Sequence, residues 1–230
     1  MNKPRNDLLN NGLYIFKNLL DQNSIEKLYK KIIDKRKFSS EIFQTEEEYK
    51  LEASHLKHNP TPTFNFLNQF EEDLKFVEHD VHVRELVTEL LGEDYEIVIR
   101  KAVCGVPTSW LPDWVNSKIK GVNVPNLGPY IKKDYRDITY FRGIDFHQDI
   151  IDWPKGKTDL DPSTFLTLYV YIHDVGPNDS PLHLLSNSHK LGATLFPHNL
   201  KKIKNKSWQY EDDNGESIEC EESVLTEIGR

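Results

Sequence analysis

Phe165-Leu-Thr-Leu-Tyr-Val-Tyr-Ile172, the punctuation His173-Asp174-Val-Gly-Pro-Asn178-Asp-Ser180-Pro181, and then Leu182-His-Leu-Leu185 form the stretch on which the fold turns. Aromatic and β-branched residues crowd the first run, and such side chains suit a pleated, half-buried surface. The Asp, Gly, Pro, Asn and Ser that follow are turn formers. Upstream, Thr139 to Phe141 and Ile144 to Gln148 read as further short strands, Tyr95 to Cys104 as a longer one, and Leu13 to Phe16 as an opening strand. Ser217 to Ile228 has the composition for two more. Short strands with few helices between them predict a jelly roll rather than a parallel sheet. The expected class is therefore mainly β with flanking helices (α+β), with a double-stranded β-helix core of jelly-roll or cupin-like form and helices at the N-terminus.

Two helices are legible. Asn23-Ser24-Ile-Glu26 opens the first, with Asn23 as cap and Glu26 three residues later, and Ile25, Leu28, Tyr29, Ile32 and Ile33 form its stripe. Val81, Val83, Leu86, Val87, Leu90 and Leu91 form the second stripe, which stops at Gly92. Residues 38 to 70 read as irregular or partly helical, and 198 to 208 as a basic loop. Residues 105 to 137, with Pro107, Pro112, Pro125 and Pro129 among Trp110, Trp114 and Tyr130, read as a long ordered insertion.

At 230 residues, 37% of them hydrophobic, the chain suits one domain spanning 1–230 with a sizeable core. A net charge of -8 argues against nucleic acid as a partner, because phosphate binding needs a concentrated basic face. The basic clusters at Lys30 to Lys37 and Lys201 to Lys206 read as solvated surfaces. Two cysteines, Cys104 and Cys220, exclude a disulfide framework. The N-terminus lacks the apolar segment of a signal peptide, and no run approaches the roughly 18 apolar residues of a membrane span. A soluble cytoplasmic protein with no membrane partner is expected.

The chemistry-bearing motif is His147-Gln148-Asp149. A His and a carboxylate two apart on a strand face the same side, so both can reach one metal. With one more His from a distant strand they make the facial triad of non-haem Fe(II) oxygenases, which leaves positions open for co-substrate and O2. Nine histidines and 37 acidic residues also make such a spacing available by chance, and a solvated strand end is the plain alternative.

Together with Ser186-Asn-Ser-His189-Lys190-Leu-Gly192, the segment from Phe165 resembles the phytanoyl-CoA dioxygenase-like group of Fe(II)/2-oxoglutarate-dependent oxygenases. In that group an aromatic and aliphatic strand leads to a turn near Asn-Gly-Pro-Leu and then to Pro-Gly-Ser-His-Lys/Arg. Ser180 stands where the group has Gly, and Ser186-Asn187 replace Pro-Gly; Asn can supply the positive φ that Gly would. The likeness covers residues 95 to 192, and Asn11 to Phe16 looks like the group's opening strand.

The resemblance implies a dioxygenase that hydroxylates a small molecule, with Fe(II) held by His147, Asp149 and a distal His, and with 2-oxoglutarate and O2 as co-substrates. Asp149 favours hydroxylation over halogenation, since halogenating relatives carry a small residue there. Trp153 and Phe141-Arg142-Gly143 look like the ectoine-hydroxylase branch, in which a Trp walls the site; a plain rim aromatic is the alternative. Tyr169 aligns with an aromatic near the co-substrate and shares its strand side with Thr167 and Tyr171, where barrel filling is equally open. Lys101 or Arg100 offers a cation near the site, or else surface charge. Residues 105–137 correspond to a substrate lid, and His189 to a structural histidine. The distal His and the 2-oxoglutarate-binding Arg fall beyond Gly229 in the group, so the domain is expected to be C-terminally incomplete unless His183, His189 or His198 substitutes. A non-catalytic jelly-roll binding module, or a truncated pseudoenzyme, is the competing expectation, and a cupin-like isomerase or lyase a remote third.

Overall fold

The computed structural model describes residues 3–53, 65–121, 127–142, 146, 165–191, 199–212 and 214–226. The class is α+β. Among the described residues helix, at 44%, outweighs strand, at 18%, which corrects the expectation of a mainly β chain.

Helices α1 (Lys3–Asn11), α2 (Gln22–Lys35), α3 (Glu46–Ala53), α4 (Glu71–Glu78), α5 (Val81–Leu91) and α6 (Asp113–Ile119) dominate the first half. Helix α2 buries Ile25, Leu28 and Ile32, as its stripe predicts, while Tyr29 and Ile33 stay partly exposed. Its cap is Asp21 rather than Asn23: the Asp21 carboxylate accepts the Ser24 backbone N–H at 2.8 Å. A carboxylate is a stronger acceptor than an amide for the orphan donors at a helix start, which moves the boundary upstream. Helix α5 runs over the predicted residues and ends at Gly92, at φ 89°.

The strands fall into two sheets. Strands β1 (Val103–Gly105) and β2 (Thr139–Phe141) pair in parallel. Strands β3 (Leu182–Leu185), β4 (Asn199–Lys204), β5 (Ser207–Glu211) and β6 (Ser217–Leu225) form an antiparallel sheet in the order β3-β6-β5-β4. Several expectations are corrected here. Leu13 to Phe16 and Phe165 to Ile172 join no ladder among the described residues, and only the end of the Tyr95 to Cys104 run does so, as β1. The supposed basic loop is instead a hairpin, β4 and β5, turning at Asn205-Lys206 with Lys206 at φ 62°. Ser217 to Leu225 is one long strand rather than two.

The main core lies between the helices and the 105–141 region, where Ile42, Phe66, Val106, Val115, Leu127 and Ile131 are essentially inaccessible. Thus the proline-rich segment contributes some of the most buried side chains in the molecule. Polar contacts hold it there. The buried Gln44 amide donates to the Ile131 carbonyl at 3.0 Å and to Glu52 at 2.6 Å. Arg136 grips Glu52 through both terminal nitrogens, at 2.6 and 2.5 Å, and also donates to Ile131 O. This bidentate pairing lowers the Glu52 carboxyl from its ordinary range. Trp114, Tyr130 and Tyr49 then pack ring on ring, with centroids 5.2 to 5.7 Å apart.

Truncating Ile131, at 0% exposure, to Ala is expected to cost about 2–5 kcal/mol in urea unfolding. The same change at Ile99, 59% exposed, is expected to stay within about 0.5 kcal/mol.

Candidate metal centre

His147, Asp149 and Trp153 lie outside the described residues, as does His198. Phe146, immediately before His147, is described. Its ring meets the Trp208 indole edge-on, with centroids 5.2 Å apart. Trp208 sits on β5, in register with Cys220 of β6. Residues two apart share a strand face, so Trp208 and Tyr210 lie on the same side as Cys220, Glu222 and Val224. Tyr210 and Cys220 are buried, which makes this the inner face of the sheet. Phe146 thus rests against that face.

The same face carries a polar cluster. Strand β3 pairs with β6 so that Leu185 opposes Glu222 and His183 opposes Val224, which sets His183 diagonal to Glu222. Glu222 accepts a hydrogen bond from His183 Nδ1 at 2.8 Å on one oxygen, and from Trp208 Nε1 at 2.9 Å on the other. These two donors, His183 first, hold the Glu222 carboxyl below its ordinary value. Lys202, from β4, lies over the Trp208 ring at 5.2 Å and adds to the same effect. Sequence reading passed over Trp208 and Glu222. The signal for Glu222 was the alternation of Ile218, Cys220, Glu222 and Val224 along one strand.

The remaining candidates are dispersed. Tyr169 is 48% exposed, Thr167 and Lys101 are exposed, and all three make contacts within the chain. Tyr171 does structural work at the sheet end, where its hydroxyl donates to Leu225 O at 2.9 Å and accepts from Leu182 N at 2.8 Å. Arg100 is committed to Glu78, at 2.6 and 2.9 Å, and reaches Glu71 at 3.5 Å. His189 has its Nε2 at 3.0 Å from the Leu9 carbonyl and its Nδ1 buried without a partner. Its ring fills the space beside Gly12, where a Cβ would come within 2.4 Å of Nδ1, so this histidine fastens the end of α1 to the 186–191 turn. Burial pushes the Cys104 thiol up to about 12, which makes it a poor thiolate donor. Among the described residues, no three His, Cys, Asp or Glu side chains come together in a way that could hold a metal.

Both positions where the resembled group carries Gly have left-handed backbone: Ser180 at φ 58° and Asn187 at φ 68°. Ser180 lies hard against Gly105 of β1, where a Cβ would come within 2.7 Å of the Ser180 Cβ. No family model matches this sequence, and neither does any curated protein or solved structure.

Gly105→Ala is expected to lower the melting temperature, whereas Ser180→Gly, which removes the left-handed penalty, should hold stability or raise it by up to about 1 kcal/mol. Glu222 sets an acid limb. Because its folded pKa is depressed, its contribution is complete above its ordinary value of 4.5 and fades as pH falls through the lower folded value. The stability gap between the native chain and Glu222→Gln, measured by urea unfolding across pH 3 to 7, should accordingly shrink below about pH 4.5.

Proposed function

We propose that the chain is an Fe(II)/2-oxoglutarate-dependent dioxygenase of the phytanoyl-CoA dioxygenase-like kind, built on a double-stranded β-helix, that hydroxylates a small molecule. The observation that carries this is the His147-Gln148-Asp149 spacing, together with the seat of Phe146 on the inner face of an antiparallel sheet. Two further features support it. Leu182–Leu185 forms a strand that ends in the Ser-Asn-Ser-His turn, and the two Gly-replacing residues, Ser180 and Asn187, adopt the backbone that Gly would favour.

The donor set fits the metal: imidazole and carboxylate are the ligand types that non-haem Fe(II) takes in a facial triad. His147 and Asp149 would hold the iron, and the iron with 2-oxoglutarate and O2 would supply the C–H oxidation. The chain's own part is to hold these donors and to keep bulk water from the reacting face. Phe146 and Trp208, ring against ring, would serve the second task as an apolar wall. Asp149, as a carboxylate that would lie in the metal shell, would favour hydroxylation over halogenation.

Anaerobic addition of Fe(II) and 2-oxoglutarate should produce the weak visible charge-transfer band of a chelated centre, and His147→Ala should abolish it. A folded native chain that gives no band would support the competing view of a non-catalytic jelly-roll module.

A further inference from the structure

Between the Gly92 cap of α5 and strand β1 the chain crosses the surface, and there Ile97, Val98 and Ile99 are 44%, 71% and 59% exposed. Three consecutive apolar side chains left open mean that both faces of the segment meet solvent. Its backbone is open as well: the N–H and C=O groups of Glu96 to Ile99 enter no hydrogen bond among the described residues. Both ends are tied down. Arg100 is fastened to Glu78 of α4 at 2.6 and 2.9 Å, and the Ala102 carbonyl accepts the Thr139 N–H at 3.0 Å. An unpaired segment held in this way is preorganised to take a partner strand, because little chain entropy remains to be lost.

The order of residues selects the partner. Glu96-Ile97-Val98-Ile99-Arg100 is self-complementary when two copies run antiparallel about Val98. Val98 then faces Val98, Ile97 faces Ile99, and Glu96 faces Arg100 at both ends, so apolar meets apolar and opposite charges meet across the strands. Glu96 is exposed and has no ion-pair partner among the described residues. Arg100 keeps Nη1 for a further acceptor, since Glu78 and Glu71 engage its Nε and Nη2. Other registers are worse. A parallel in-register pair sets Glu96 against Glu96 and Arg100 against Arg100, and an antiparallel centre at Ile97 or Ile99 sets Val98 against Glu96 or Arg100. The contrast is β4, whose lysines repel a second copy, whereas the charges bounding 96–100 attract one in a single register.

We propose that Glu96–Arg100 is a self-association edge, on which a second copy of this chain docks as an antiparallel strand about a twofold axis at Val98. The contact is isologous, so it closes on itself as a dimer. A pairing this short falls below the interfaces of about 1,200 Å² and more that stable complexes bury, so the dimer is expected to be weak, with a dissociation constant on the order of 10–100 μM.

Sedimentation velocity of the native chain from about 1 to about 500 μM, with Val98→Lys and Glu96→Arg alongside, tests this. Both side chains are exposed, so each variant should keep the native melting temperature. The native chain should pass from monomer to dimer across that range, and each variant, which sets like charges against each other, should weaken the dimer at least about tenfold. Hydrogen exchange should show the amides between 96 and 100 becoming protected in the native dimer. On mild oxidation Val98→Cys should form a disulfide-linked dimer faster than Leu51→Cys, a control at 72% exposure against 71% for Val98. A native chain that stays monomeric throughout, its 96–100 amides exchanging freely, would leave the edge to a different partner and overturn the proposal. A dimer that Val98→Lys leaves intact would overturn it too, since the contact would then lie elsewhere.

Discussion

One carboxylate, Glu222, sets the geometry on which the inner face of the antiparallel sheet depends. It sits on β6, the central strand that pairs with both β3 and β5, and takes one hydrogen bond from each neighbour, His183 on one side and Trp208 on the other. A half-buried carboxylate must satisfy its lone pairs, and here it does so with side chains rather than with backbone. The consequence is register. A slip of one residue between β3 and β6 would turn His183 to the opposite face and leave Glu222 with a single donor. The indole held in this way becomes the surface on which Phe146 rests.

The helical layer obeys a different constraint, one of burial. Residues 127–137 run as short 3₁₀ turns and extended links, yet Leu127 and Ile131 are fully enclosed. Backbone carbonyls carried inward with them need donors, and Gln44 and Arg136 supply these to Ile131. Glu52 in turn neutralises Arg136 and orients Gln44. An apolar segment without regular structure can occupy a core only with such polar partners.

These two modes explain what the sequence could and could not disclose. Helix α5 was legible because its stripe and its Gly92 stop are local signals, and β3 because turn formers bound a short apolar run. Asn187 was legible because few residues other than Gly tolerate a left-handed backbone. The β4–β5 hairpin was not, since four lysines between 201 and 206 imitate a solvated loop. Their role follows from topology: β4 is an edge strand, and lysines on an edge discourage pairing with another chain. Conversely, Glu96 to Ile99 belongs to a run with the composition of a strand but lies exposed, with Val98 at 71%, and joins no ladder among the described residues, because propensity alone does not provide a partner.

The candidate site divides along the same line. The His-x-Asp pair is a two-residue spacing and can be read directly from sequence, whereas the Glu222–His183 contact joins residues 39 apart and exists only once β3 and β6 are in register. Sequence could offer His183 merely as one spare histidine among several. What distinguishes it is the carboxylate behind its ring, and that is a property of the sheet. A histidine placed this way is set by strand pairing rather than by a loop, so its ring is held by the register of β3 and β6. The same logic gives Trp208 two roles, because the indole that braces Glu222 through its N–H also supports Phe146 through its face and edge. Loss of that one ring would therefore disturb both the brace on Glu222 and the seat of Phe146.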